Sequence, residues 1–237
     1  AIHFMAWRQL DIKLYWHDAE VRGFFTIVAA VIAITTAVLL VTGRYQNFWD
    51  ALRYGAFHVV TMITSTGFLT ADFSVWPLFL PALLITIGFI GGCAGSTAGG
   101  MKVVRILLLY KQGLREIMRL IHPSAIIPVK IGERSLPDRV VEAVWGFSAL
   151  YITSFIVLSL ALMATGLDMI AAFSGVATCL NLGGPGLGVV AANFVAVSDT
   201  GIWILSFAML LGRLHSSPEI KVQIRREPAP PLGRFSL

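Results

Sequence analysis

The sequence predicts an all-α, polytopic membrane protein, and two observations support this fold class. Only 13% of the 237 residues are charged, about half the share found in soluble domains. Stretches without a charged residue recur along the chain, at 23–43, 54–71, 73–101, 143–167, 169–198 and 200–212. Because about 20 apolar residues suffice to cross a bilayer as a helix, several of these stretches are candidate spans. The hydrophobic share of 57% also excludes a disordered chain.

The net charge of +5 is concentrated in one internal segment. Residues 102–139 carry eight basic and three acidic side chains, whereas the charges in the remainder of the chain cancel. Since cytoplasmic loops of membrane proteins are rich in Lys and Arg, we expect this segment in the cytoplasm. A nucleic-acid-binding patch is the weaker interpretation because no aromatic platform is interleaved with these charges. No nucleic-acid partner is therefore predicted.

The chain begins with a predicted interfacial helix and one full span. Residues 1–19 mix aromatic and charged side chains, as helices at the membrane surface do. The span covers 20–42 and ends at Gly43. Asn47 then opens a helix of about 16 residues, or roughly 24 Å, too short and too polar for a comfortable span. We predict that 47–68 is re-entrant and returns as extended chain after a glycine-containing turn.

A second long apolar helix is predicted over 76–121, with an interruption inside it. The ten residues 91–100, the glycine-rich loop, include five glycines and should not hold a regular helix. Unwound backbone at membrane depth is tolerated only where it is buried or lines a watery cavity. The segment 122–139 contains three prolines and is predicted to be a cytoplasmic connection, either a turn or a small hairpin.

The same order of elements then repeats, as is common in transporters. We predict a span over 140–166, a short helix over 168–180, a glycine-rich break over 179–188 and a last span within 200–214. The tail 215–237 is basic and proline-rich, so it does not continue this last span, which is truncated.

Short polar residues and a glycine end the first short helix, at 64–67. Such residues suit a cation filter, in which backbone carbonyl oxygens replace the hydration shell of the ion. Glycine permits left-handed backbone angles, and the helix C-terminus adds negative potential. The alternative is an ordinary helix C-cap followed by a loop. A second copy at 181–184, with Gly184 lying 117 residues after Gly67, favours the filter interpretation.

Three motifs in order resemble the TrkH/KtrB potassium-transporter family, and its TrkH branch fits best. They are ITSTGFLTADF at 63–73, GGCAGSTAGGMKVVR at 91–105 and NLGGPGLG at 181–188. That family has four M1–pore helix–M2 repeats in one chain. The resemblance implies a potassium-channel-like fold with two of these repeats: 20–121 as the third, with a broken M2, and 140–214 as the fourth. It also implies that the N-terminal half, with the first two repeats, is missing.

The resemblance implies which residues bind and gate the ion. Backbone carbonyls of two candidate filter segments would bind K⁺, and their residues are Thr64, Ser65, Thr66, Gly67, Asn181, Leu182, Gly183 and Gly184. The second segment departs from the Asn-Asn-Leu-Gly-Pro-Gly expected for the family, so its register stays open. The implied gate comprises Gly91, Gly92, Gly95, Ser96, Thr97, Gly99, Gly100 and Arg213. The alternatives are helix packing through small residues for the loop and a snorkelling side chain for the arginine.

Five further residues have simpler predicted roles. Asp72 either concentrates cations at the outer mouth or is a solvated loop residue. His58 is expected to be a packed polar residue rather than a ligand, and Asp199 to cap the helix that begins at Thr200. The two cysteines, Cys93 and Cys179, are expected to fill space in the core.

The sequence thus predicts a Trk-system potassium transport protein, not an enzyme, in the cell inner membrane. The resemblance implies lipid contact, a homodimer, and a cytoplasmic ring of nucleotide-binding, TrkA-type regulatory subunits. The only ligand expected is the transported potassium ion, and whether the transport is symport stays open. One alternative is a non-functional truncated fragment, because two filter strands do not encircle an ion. The other is an intramembrane hydrolase that uses Ser96 with His58 or His122.

Overall fold

The computed structural model describes residues 18–93, 96–122, 128–131 and 134–215. Within these ranges the helices are α1 (Ala19–Val41), α2 (Phe48–Ile63), α3 (Leu80–Ile90), α4 (Val103–Ile121), α5 (Asp138–Met163), α6 (Met169–Leu180) and α7 (Asp199–His215). Two short strands, β1 (Lys130–Ile131) and β2 (Arg134–Ser135), pair antiparallel. The interfacial helix predicted over 1–19 lies outside the described residues up to 17, as does the tail beyond 215.

Two helices, α1 and α5, are long and apolar enough to cross a membrane, whereas α3 and α6 are apolar but shorter. The outer face of α5 shows why lipid must cover it. Five large apolar side chains on this helix are half or more exposed: Leu150, Ile152, Ile156, Val157 and Leu160. An apolar face of this size is rare on a soluble protein. The described chain is thus a helical membrane protein, as the sequence predicts.

Each short helix packs between longer neighbours. In the first half, α2 packs against α1 and α3 around fully buried residues such as Leu39, Val59 and Leu84. In the second half, α6 packs against α5 and α7 around Leu162 and Val176. Contacts between α3 and α6 join the halves, which brings the C-terminal ends of α2 and α6 together.

Local signals explain the helix ends. The Asn47 side chain accepts a hydrogen bond of 3.2 Å from Trp49 N, so it caps α2 as predicted. Helix α3 begins at Leu80 rather than at 76, because Leu78 adopts a left-handed conformation with φ of 59° just before it. The prediction that Asp199 caps α7 is wrong. Ser198 accepts from Gly201 N at 3.3 Å, so Asp199 is the first helical residue.

The hairpin between α4 and α5 is tied to α4. Lys111 donates a 2.6 Å hydrogen bond to the carbonyl oxygen of Lys130. Arg115 forms a 2.6 Å salt bridge with Asp138 at the start of α5. These contacts attach the hairpin and the first turn of α5 to one face of α4. The segment 122–139 is therefore partly a small hairpin, one of the two forms expected for it.

Candidate ion pathway

The two candidate filter segments begin with the same backbone geometry. Thr66 N donates to Thr61 O at 2.9 Å at the end of α2, and Gly183 N donates to Thr178 O at 2.8 Å at the end of α6. Both are the long hydrogen bond of a Schellman cap, in which the residue after the C-cap is left-handed. That residue is Ser65 in one segment, with φ of 54°, and Leu182 in the other, with φ of 56°.

Two residues later each segment has a glycine in the left-handed region. The φ angle is 81° at Gly67 and 88° at Gly184. A Cβ placed on Gly67 would lie 3.0 Å from the carbonyl oxygen of Gly183, and one on Gly184 would lie 3.6 Å from Gly67 Cα. The two glycines therefore lie side by side. By backbone geometry, Leu182 matches Ser65 and Gly184 matches Gly67, which is the register given by the 117-residue offset.

Ser65 connects both segments with the glycine-rich loop. Its hydroxyl donates a 3.0 Å hydrogen bond to the carbonyl oxygen of Asn181, and its oxygen accepts one of 3.1 Å from Gly99 N. Asn181 is 2% exposed, and its side-chain oxygen accepts from the hydroxyl of Tyr151 on α5. The main-chain carbonyl oxygen of Asn181 therefore already accepts one hydrogen bond from the protein, that of the Ser65 hydroxyl.

Tyr151 gives the first testable prediction. In Tyr151→Phe the buried side-chain oxygen of Asn181 loses a donor, which costs about 1–3 kcal/mol for an unsatisfied buried group. We expect a lower thermal unfolding temperature for the purified transporter that carries this segment. Tyr110→Phe is the matched control, because Tyr110 is 66% exposed on α4. Equal unfolding temperatures for the two variants would show that the Tyr151 hydroxyl does not stabilise the segment.

The glycine-rich loop packs closely against its surroundings. A Cβ on Gly91 would overlap Gly99 O, one on Gly100 would lie 2.7 Å from Gly88 O, and one on Gly99 would overlap Asn181 O. A backbone hydrogen bond of 2.9 Å from Met101 N to Phe89 O joins the two segments that flank the loop, and Val103 N donates to Gly92 O within the loop at 3.2 Å. The glycines are therefore required for close approach of the backbone. Gly95 lies outside the described residues.

Arg213 lies beside the loop. Its guanidinium donates to the carbonyl oxygen of Thr97 at 3.4 Å. Helix α7 can come this close because a Cβ on the preceding residue, Gly212, would overlap the carbonyl oxygen of Leu180 at the end of α6. The structure thus brings together Ser65, Asn181, Gly99, Thr97 and Arg213, which are distant in sequence.

Polar side chains on α2 and α6 form hydrogen bonds with the chain that follows each of these short helices. His58 is completely buried, and its Nε2 lies 2.9 Å from the carbonyl oxygen of Ala71. On α6, the Ser174 hydroxyl accepts from Leu187 N at 2.9 Å. Asp72 accepts from Ser74 N at 2.9 Å and so caps a short 3₁₀ helix. The structural role of His58 agrees with the packed polar residue expected from sequence.

The geometry does not pair Ser96 with His58 or His122, as the hydrolase alternative would require. The Nδ1 of His58 lies 2.8 Å from Tyr54 O, and its Nε2 contacts Ala71 O, so neither ring nitrogen is turned toward Ser96. His122 follows the C-terminus of α4, a helix of 19 residues or about 28 Å, whereas Ser96 precedes its N-terminus. Neither histidine is therefore placed as a general base for this serine.

Sequence reasoning did not single out Tyr151, Ser174 or Lys102 for this region. Tyr151 is a lone tyrosine within an apolar helix, and Lys102 is a charge directly after the unwound stretch. The sequence pattern at these two positions indicates a buried hydrogen bond, since a polar side chain in an apolar environment needs a partner.

Two short helices end in matched, left-handed turns, and a close-packed loop contacts both of them. This arrangement defines a helical membrane protein in which a short helix with a left-handed turn occurs twice within the described residues. The chain belongs to the TrkH cation transport protein family, whose family model matches residues 4–229.

Its relatives are potassium uptake proteins. The Trk system potassium uptake protein TrkH of Salmonella typhimurium is 49% identical over 90% of this chain and 44% of its own length. TrkG of Escherichia coli K12 is 35% identical over 93% of this chain and 46% of its own. The crystal structure of the potassium transporter TrkH from Vibrio parahaemolyticus superposes with a TM-score of 0.86 at 46% identity, over 96% of this chain and 48% of that one. The chain thus spans about half the length of these relatives, and the family resemblance inferred from the motifs is confirmed.

Proposed function

We propose that this chain supplies two of the filter strands, and the gate, of a Trk-type potassium uptake protein. The single observation that carries the proposal is that the two filter segments lie side by side with similar φ angles, 54° at Ser65 and 56° at Leu182, then 81° at Gly67 and 88° at Gly184. The identity with potassium uptake relatives supports potassium as the ion.

In this proposal, backbone carbonyl oxygens bind K⁺ in place of its hydration water. They belong to Thr64, Ser65, Thr66, Gly67, Asn181, Leu182, Gly183 and Gly184. A carbonyl oxygen has two lone pairs, so Asn181 O can accept from Ser65 and still contact an ion. Two strands do not surround an ion, and we propose that the remaining strands come from the part of the relatives that this chain does not span.

The loop is the proposed gate. It contacts both filter segments, through the bridge from Gly99 to Ser65 of the first segment and from Ser65 to Asn181, the first residue of the second. We assign the gate to Gly91, Gly92, Gly95, Ser96, Thr97, Gly99, Gly100 and Arg213. The guanidinium of Arg213, beside Thr97, would add an electrostatic barrier to a cation.

The wider setting follows from charge and from the family. We propose an inner-membrane location with the basic segment 102–139 on the cytoplasmic side. There it would contact a nucleotide-binding regulatory ring, with the transporter as a homodimer. Potassium is the transported ligand, no other cofactor is proposed, and no enzymatic step is assigned. The non-functional fragment is less favoured, because 49% identity with an uptake protein extends over 90% of the chain.

A hybrid transporter tests the proposal. In it, this chain replaces the matched region of the Salmonella typhimurium TrkH, and the hybrid is expressed in a host that lacks its own potassium uptake. We expect growth at low potassium. The control is the same relative with the matched region deleted, which should not support growth. A hybrid that reaches the membrane but does not restore potassium-dependent growth would refute the proposal.

A further inference from the structure

A buried lysine follows the glycine-rich loop. Lys102 is 3% exposed, although it stands directly before α4 in a chain that has few charges. Its ammonium donates to the carbonyl oxygen of Ser96 at 3.0 Å and to that of Ala98. Burial of an ammonium is costly unless it is paired or hydrogen-bonded. Both acceptors here are main-chain oxygens of the loop, so the side chain meets its need for partners by binding the loop.

The backbone at this position is also unusual. Lys102 has a φ of 73°, in the left-handed region that side-chain-bearing residues seldom occupy. Its carbonyl oxygen accepts from Arg105 N at 3.0 Å and from Ile106 N at 3.3 Å, so the residue is fixed to the first turn of α4. Strain of this kind persists only where the surroundings impose the conformation. The strained backbone turns the chain into α4 while the ammonium reaches back to the loop.

Three successive carbonyl oxygens of the loop accept from cationic side chains. Those of Ser96 and Ala98 accept from Lys102, and that of Thr97 between them accepts from Arg213. The two cations come from different sides, one from the start of α4 and the other from α7. Their hydrogen bonds hold residues 96–98 in place just before Gly99, the residue that contacts the filter.

We propose that Lys102 is a positioning residue of the gate, whose ammonium holds residues 96–98 in the closed position and attaches them to α4. The inference rests on the proposed function, since it assumes that the loop obstructs the ion path. It adds a mechanical link, because α4 is tied to the hairpin through Lys111 and to the start of α5 through Arg115. A displacement of α4 therefore moves the Lys102 ammonium, and with it the loop.

The test is Lys102→Met in the hybrid transporter, which keeps the length of the side chain but removes its donors. Purified protein is reconstituted into liposomes, and ⁸⁶Rb⁺ uptake is measured against Rb⁺ concentration. Loss of a hydrogen bond to a charged group should shift the equilibrium between the closed and open positions of the loop by about tenfold or more. We therefore expect maximal uptake to rise by about tenfold. The Rb⁺ concentration at half-maximal uptake should stay unchanged, because the filter is not altered.

Two variants make the result specific. Lys102→Arg keeps a cationic donor and should stay near the parent rate. Arg119→Met is the matched control on α4, since Arg119 pairs with Glu116 of the same helix rather than with the loop, and it should also leave the rate unchanged. A merely destabilised protein would transport less, not more. Folded Lys102→Met protein with unchanged or lower maximal uptake would therefore overturn the proposal.

If Lys102→Met does not fold, Lys102→Gln provides the same comparison, because it removes the charge and shortens the reach while keeping a polar group. Parent-like uptake by folded Lys102→Gln would then overturn the role of the ammonium. Failure of the proposed function has a different signature, because the unmodified hybrid would itself take up no ⁸⁶Rb⁺.

Discussion

Serine in place of Gly67 is expected to lower the preference of the transporter for K⁺ over Na⁺ by about tenfold or more. The φ of 81° disfavours any residue with a Cβ, at a cost of about 1–2 kcal/mol. The added Cβ would lie 3.0 Å from the carbonyl oxygen of Gly183, in the neighbouring filter segment. The carbonyl oxygens near the ion must then move, and a filter that no longer matches K⁺ discriminates less.

The measurement is ⁸⁶Rb⁺ uptake by the hybrid in competition with Na⁺ or K⁺. Gly43→Ser is the matched control because Gly43 has a similar φ of 69° but no atom within 4 Å of its would-be Cβ. It introduces comparable backbone strain outside the two filter segments and should leave ion preference unchanged. Gly184→Ser should change ion preference in the same direction but by less, because its φ of 88° also disfavours a Cβ, whereas that Cβ would meet Gly67 Cα at 3.6 Å, an ordinary contact distance. Unchanged selectivity in both filter variants would remove these segments from the ion path.

Gly99→Ala is expected to raise ion flux by increasing the time that the loop spends away from the filter. A Cβ here would overlap the carbonyl oxygen of Asn181, so the loop cannot keep its place against the filter. Overpacking of this kind costs about 1–3 kcal/mol, which corresponds to roughly 5- to 150-fold in the closed–open equilibrium. The hydrogen bond from Gly99 N to Ser65 would lengthen or break as the loop moves.

Liposome flux measures this effect, and Gly113→Ala provides the control. Gly113 lies within α4, where nothing stands within 4 Å of an added Cβ, and alanine there favours the helix by about 1 kcal/mol. Flux through the control should equal that of the parent. If folded Gly99→Ala protein transports at the parent rate, contact between the loop and the filter does not restrict conduction.

Much of the fold follows from local sequence signals. Hydropathy predicts the membrane class, Asn47 caps α2, and the glycines of the loop break the helix between Ile90 and Val103. These features depend on neighbouring residues, so a single sequence reveals them. The tail from 216 to 237 and the first 17 residues offer no such comparison, because the described residues do not extend there.

The contacts that assemble the site could not be predicted in the same way. Ser65 and Asn181 are 116 residues apart, and Tyr151 reaches Asn181 from another helix. Such contacts depend on how helices pack, which spacing alone does not determine. Lys102 gives no indication in the sequence of which carbonyl oxygens it binds. The error at Asp199 has a local cause, because Ser198 before it is an equally good cap and is the one used.

The two candidate filter segments match in their backbones but not in their side chains, which makes their contacts with the glycine-rich loop unequal. Ser65 and Leu182 occupy equivalent positions with φ angles that differ by only 2°, yet only the serine has a hydroxyl. Of these two segments, therefore, only the first offers a side-chain hydroxyl to the glycine-rich loop. The two segments are alike as backbones but unlike in their hydrogen bonds to the loop, so an opening movement of the proposed gate would break the bond between Gly99 N and Ser65 in the first segment.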